Sequence, residues 1–168
     1  MTEIDGIPVH FLHVVGKGPN PMPLLLSHGW PGSVFEFLDI IPRLTDPARF
    51  GGDPADAFPV VAPSLPGYGL SFRPGQKRYD LAMIVAVFAE LMQRLGYPRY
   101  GAQGGDWGSF ITSRLACDHP DRLAGIHLNL LPLRRDTAGI DARTEDETRY
   151  LTELAHFLKE NTGYQWIQ

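Results

Sequence analysis

The chain has 168 residues, 43% of them apolar and 20% charged, which is the composition of a soluble globular protein and the length of one domain or part of a larger one. A net charge of −4 argues against a nucleic-acid partner, because no basic stripe is available to neutralise phosphates. The one cysteine, Cys117, excludes an internal disulfide and a cysteine metal cluster, while the start MTEIDGIPVH and the lack of any run of about 18 apolar residues point to a cytoplasmic protein without a membrane segment.

In chain order, Ile7–Val15 is rich in β-branched residues and reads as a strand ended by the Gly16–Pro19 turn. Pro23–Ser27 (PLLLS) is a short apolar run of the buried-strand type. Val34–Leu44 places Val34, Phe37, Leu38, Ile41 and Leu44 at helical spacing behind a Ser33 cap, and Asp46–Asp56 reads as loop. Phe58–Ala62 is a second buried strand, followed by the turn-rich SLPGYGLSFRPG. Asp80–Leu95 is a helix capped by Asp80 and stopped by Gly96. Tyr100–Gln103 reads as a strand, Trp107–Asp118 as a helix and Leu123–Leu130 as a strand. Such alternation predicts an α/β fold, a mainly parallel sheet with helices on both faces, over residues 1–131. Residues 132–168 differ: a charged, turn-rich stretch precedes an amphipathic helix over Glu147–Glu160, and the apolar ending GYQWIQ suggests a cut chain.

Three motifs carry the chemistry, each directly after a predicted strand. Gln103–Ser109 (QGGDWGS) has the small-residue spacing of a nucleophile elbow, G-x-S-x-G, with Asp106 where that pattern has Ser. Gly104, Gly108 and Ser109 leave room for a side chain projecting from a tight strand-to-helix turn, and the helix N-terminus favours an anion there. Asp106 as a plain N-cap is the competing reading. His28-Gly29-Trp30-Pro31 follows PLLLS where an oxyanion loop would sit, with Pro31 holding Trp30 extended. Leu65-Pro66-Gly67-Tyr68-Gly69 follows the next strand and by itself reads as a turn.

Together HGWPGS, SLPGYGLS and QGGDWGS, with GIHLNL after them, resemble the epoxide hydrolases of the α/β-hydrolase superfamily, and more closely their microsomal-type branch. ENTGYQWIQ resembles the lid segment that carries a catalytic tyrosine in that branch. The resemblance implies an α/β-hydrolase core over 1–131, the beginning of a helical lid over 132–168, Asp106 as nucleophile, the backbone N–H groups of Trp30 and Trp107 as oxyanion hole, and Tyr164 as one of two lid tyrosines. His28, with Gly29 and Pro31, would shape the oxyanion loop. The implied partner is a small-molecule epoxide, with no cofactor and no metal.

The physical reason for an aspartate is that an epoxide offers a saturated carbon, which a carboxylate can attack from behind the strained C–O bond without prior deprotonation. A phenol such as Tyr164 would protonate the departing oxygen. Water activated by a His–acid pair would then hydrolyse the ester. In this superfamily that His follows the nucleophile late in the chain; His119, His127 and His156 read as structural, so the missing base, its acid and the segment preceding the core are expected to be absent from this chain. Three alternatives stay open. A haloalkane dehalogenase would share the Asp-Trp pair. A serine esterase conflicts with Asp106. A truncated relic or binding module would keep the half-fold alone.

Overall fold

A computed structural model describes residues 1–131 and 141–163. The chain forms two compact units, Met1–Pro132 and Leu133–Gln168.

The first unit opens with a two-stranded antiparallel hairpin, β1 (Thr2–Ile4) and β2 (Ile7–Val9), turning through Asp5 and Gly6 at positive φ. Its main sheet has five strands in the order β3-β5-β4-β6-β7, comprising β3 (Phe11–Val14), β4 (Leu24–Ser27), β5 (Val60–Pro63), β6 (Tyr100–Gly104) and β7 (Leu123–Leu128). The ladders β5–β4, β4–β6 and β6–β7 are parallel, and only β3 runs antiparallel at the edge beside β5. The strand expected over Ile7–Val15 is therefore two strands. They part at His10, whose N–H leaves the ladder to bond the Ser71 hydroxyl at 2.9 Å.

Because successive strand residues face opposite ways, Leu25 joins a core with Val61 and Ala102, while Leu26 joins a second core with Val60 and Ala62 on the other face. Helices α2 (Leu81–Arg94) and α3 (Trp107–Asp118) cover the first face, burying Phe88, Leu91, Met92, Ile111 and Leu115. Asp80 caps α2 by accepting the Met83 N–H at 2.8 Å, and Gly96 follows its end at φ 81°.

The other face is covered by Val34, Phe37 and Ile41. The helix expected over Val34–Leu44 is broken there into a 3₁₀ turn, Val34–Phe37, and a short helix α1 (Ile41–Thr45). Pro42 is the cause: it has no N–H for the carbonyl of Leu38, and its ring crowds that group. Pro47 and Pro54 likewise start 3₁₀ turns inside the expected loop.

In the second unit, α4 (Glu145–Glu160) begins at a capping box. The Thr144 hydroxyl accepts the Glu147 N–H at 3.2 Å, and the Glu147 carboxylate accepts the N–H of Arg143 at 2.7 Å and of Thr144 at 3.0 Å. Those backbone donors hold the Glu147 carboxyl below its usual range, the Arg143 N–H first. Among the described residues no helix is long and apolar enough to cross a membrane.

Candidate active site

The turn between β6 and α3 is sterically closed to anything but glycine on both flanks. A Cβ on Gly104 would lie 2.0 Å from the Gly108 carbonyl oxygen, and one on Gly108 would lie 1.9 Å from that of Ser27. Between them Asp106 sits at φ 51°, ψ −123°, a conformation that is costly for a residue with a side chain. Asp106 occupies the N-cap position of α3 but its carboxylate makes no capping bond. Instead Oδ1 accepts the backbone N–H of Trp30 at 2.8 Å. Gly29 makes the approach possible, since a Cβ there would fall 2.6 Å from the Cβ of Asp106. The Ser109 hydroxyl donates to the Gly104 carbonyl at 2.8 Å and fastens the turn from below.

The loop that presents the Trp30 N–H is held by His28, which is buried beneath it. The ring Nε2 faces the Leu65 N–H at 3.0 Å, and Nδ1 lies 2.8 Å from the Gly29 carbonyl oxygen. A backbone N–H can only donate, so Nε2 is the acceptor and Nδ1 carries the proton. Burial lowers the ring's pKa from its ordinary value, against opposing pulls from the Gly29 carbonyl and the Glu36 carboxylate. The Trp30–Pro31 bond is cis. Trp107 is the first residue of α3; its N–H forms no bond to the Asp106 carboxylate, so of the two expected donors only Trp30 engages it.

A cavity of about 1010 Å³ adjoins the carboxylate. Asp106, Gly29, Trp30 and Pro31 line it beside an apolar wall that includes Leu24, Leu26, Phe37 and Phe58. Cross-strand register aligns Leu26 with Gln103 and Gln103 with His127, while Leu24 aligns with Gly101, whose missing Cβ leaves room for the Leu24 side chain, 3.3 Å from where that atom would sit. Gln103 donates to the Asn129 side chain at 2.9 Å on the same wall. Sequence reasoning passed over His127, Asn129, Gln103 and Glu36 as cavity residues, although the period-two spacing of His127 and Asn129 in GIHLNL carries the signal. His119 follows the end of α3 and His156 is exposed on α4. Tyr164 lies outside the described residues.

A mainly parallel sheet with helices on both faces, and a strained acidic residue between strand and helix aimed at a backbone donor from a neighbouring strand-end loop, define a hydrolase of the α/β type. Residues 22–156 match the family model for the alpha/beta hydrolase fold, and residues 1–37 match that for the epoxide hydrolase N terminus. Epoxide hydrolase 1 of Oryctolagus cuniculus is 42% identical over 186 residues, covering 99% of this chain and 41% of that protein. Juvenile hormone epoxide hydrolase of Bombyx mori is 46% identical over 132 residues, covering 75% of this chain and 27% of that one. The solved structure of Aspergillus niger epoxide hydrolase superposes with a TM-score of 0.70 at 33% identity, covering 97% of this chain and 42% of that one. The chain belongs to the α/β-hydrolase family, in its microsomal-type epoxide hydrolase branch. It spans 27% to 41% of the length of these curated relatives, 38% and 41% for the first two.

Proposed function

We propose that this chain carries the ester-forming half of an epoxide hydrolase, with Asp106 as nucleophile and the Trp30 N–H as the oxyanion donor. The bond from the Trp30 N–H to Asp106 Oδ1, 2.8 Å, supports this reading above all. With Oδ1 held, Oδ2 is the oxygen left to attack. It displaces the epoxide C–O bond from behind, forming an ester on Asp106 and an alkoxide that takes up a proton, for which Tyr164 in the lid-like segment 132–168 is the proposed donor. Hydrolysis then requires water to attack the ester carbonyl carbon. Charge develops on Oδ1, where the Trp30 N–H already points, a placement worth about 3 kcal/mol in comparable acyl-transfer sites. The Trp107 N–H, next along the chain, is the proposed second donor once the ester forms. The products are a vicinal diol and the free carboxylate.

The second step needs a base oriented by a carboxylate. Among the described residues no histidine bonds a carboxylate: His10 bonds Ser64, His13 bonds Tyr97, and His28 is committed through both nitrogens to backbone. The described residues therefore support alkylation of Asp106 more strongly than turnover. Parallel incubation with styrene oxide and with a haloalkane tests the reading. An ester adduct from the epoxide, without halide release from the haloalkane, is expected; halide release would favour dehalogenation, and inertness to both would favour a binding role.

A further inference from the structure

The SLPGYGLS turn reads in the sequence as a loop and little more, yet its two ends are tied together and to His10. The Ser71 hydroxyl is fully buried; it donates to the Ser64 carbonyl at 2.8 Å and accepts the His10 N–H at 2.9 Å. The Ser64 hydroxyl bonds His10 Nδ1 at 3.0 Å, and the Ser64 N–H donates to the His10 carbonyl at 2.9 Å. The Gly67 N–H closes the turn onto the Ser71 carbonyl at 3.0 Å. What this knot fixes is the next residue, Leu65, whose side chain is 1% exposed and whose N–H meets His28 Nε2.

We propose that Ser71 and His10 are positioning residues for the oxyanion loop. Resting on the reading of Asp106 as nucleophile, they hold the Leu65 N–H where it keeps His28 as the Nδ1–H tautomer, and His28 in turn holds the Gly29 carbonyl and so the Trp30 N–H. The path is continuous in hydrogen bonds and chain neighbours from the end of β2 to Oδ1 of Asp106, and none of its first three members touches substrate space. Without the Ser71 hydroxyl, Leu65 is free to shift, Nε2 loses its obligatory donor, and the ring can exchange tautomers or turn.

The test uses the full chain labelled with ¹⁵N-histidine. In wild type the His28 ring should show one protonated Nδ1 and one unprotonated Nε2. In Ser71→Ala that signature should average between tautomers, and alkylation of Asp106 by styrene oxide should slow by up to about a hundredfold, the scale expected for a misplaced reactive group. A merely structural role would lower the melting temperature yet leave the ring signature intact well below it. A single, unchanged Nδ1–H signal in Ser71→Ala overturns the proposal. The ring signal decides this whether or not the wild type is alkylated, so failure of the epoxide reading is seen separately. Should Ser71→Ala not fold, Ser64→Ala, which cuts the bond to the His10 ring alone, is read the same way.

Discussion

The carboxylate of Asp106 is bound by the backbone N–H of Trp30, 76 residues away in sequence, and not by the helix it precedes. Asp80, by contrast, is a true cap of α2. The two aspartates should therefore respond oppositely to substitution. Asp80→Ala should cost about 1 kcal/mol of stability. Asp106→Gly should raise stability by about 1 kcal/mol, because glycine accepts φ 51° without strain, while ending all reaction with epoxides. Paired urea denaturation curves check both signs.

Gly108 should tolerate nothing larger. A methyl group 1.9 Å from the Ser27 carbonyl oxygen forces β4 and α3 apart, so Gly108→Ala should destabilise by about 3 kcal/mol or more and detach the Trp30 loop from the elbow. Gly125→Ala is the control, since a Cβ there meets nothing within 4 Å. Thermal melts of the two variants should separate clearly.

Acidification should loosen the oxyanion loop. His28 is neutral in the fold and its pKa lies below the ordinary 6.5, with burial the main cause and Glu36 the charged group opposing it. A lowered folded pKa means the unfolded chain binds the proton more readily. The stabilising contribution is whole above about pH 6.5 and is lost as the pH falls through the folded value. His10, also lowered by burial, acts in the same direction. Melting temperature followed downward from pH 8 should fall, and in His28→Asn part of that slope should vanish. A slope identical to wild type would contradict a buried, neutral His28 ring with a lowered pKa.

The Tyr100 hydroxyl is fully buried without a hydrogen-bond partner, and burial pushes its pKa up to about 12. Removing an unpaired buried polar group removes its desolvation cost, so Tyr100→Phe should be neutral or stabilise by about 1 kcal/mol, as a chemical denaturation midpoint will show.

What the sequence made legible follows from locality. The elbow turn and the helix capped by Asp80 rest on contacts within a few residues, and QGGDWGS carries one of its own steric limits, since a Cβ on Gly104 would meet the Gly108 carbonyl. Pro42 was equally local, but the apolar spacing of Val34–Leu44 masked it, since a broken helix can still present one apolar face. The role of SLPGYGLS was out of reach because its partners lie 54 and 61 residues away at His10, and nothing in a turn motif names a distant hydroxyl. For His127 the period-two spacing with Asn129 shows only that the two share a strand face; the register Gln103 to His127 puts that face on the cavity wall.

The central claim is that Asp106, held at Oδ1 by the Trp30 N–H, is a nucleophile toward epoxides. Incubation of the chain with excess styrene oxide, followed by intact mass and tandem mass mapping, tests it most directly. The account predicts one adduct per chain, an ester on Asp106 that is absent in Asp106→Asn, with far less than one equivalent of diol released. An adduct on another residue, or none while His28 keeps its native ring signature, would contradict it. Sustained diol formation would instead move attention to His127 as the base on the cavity wall.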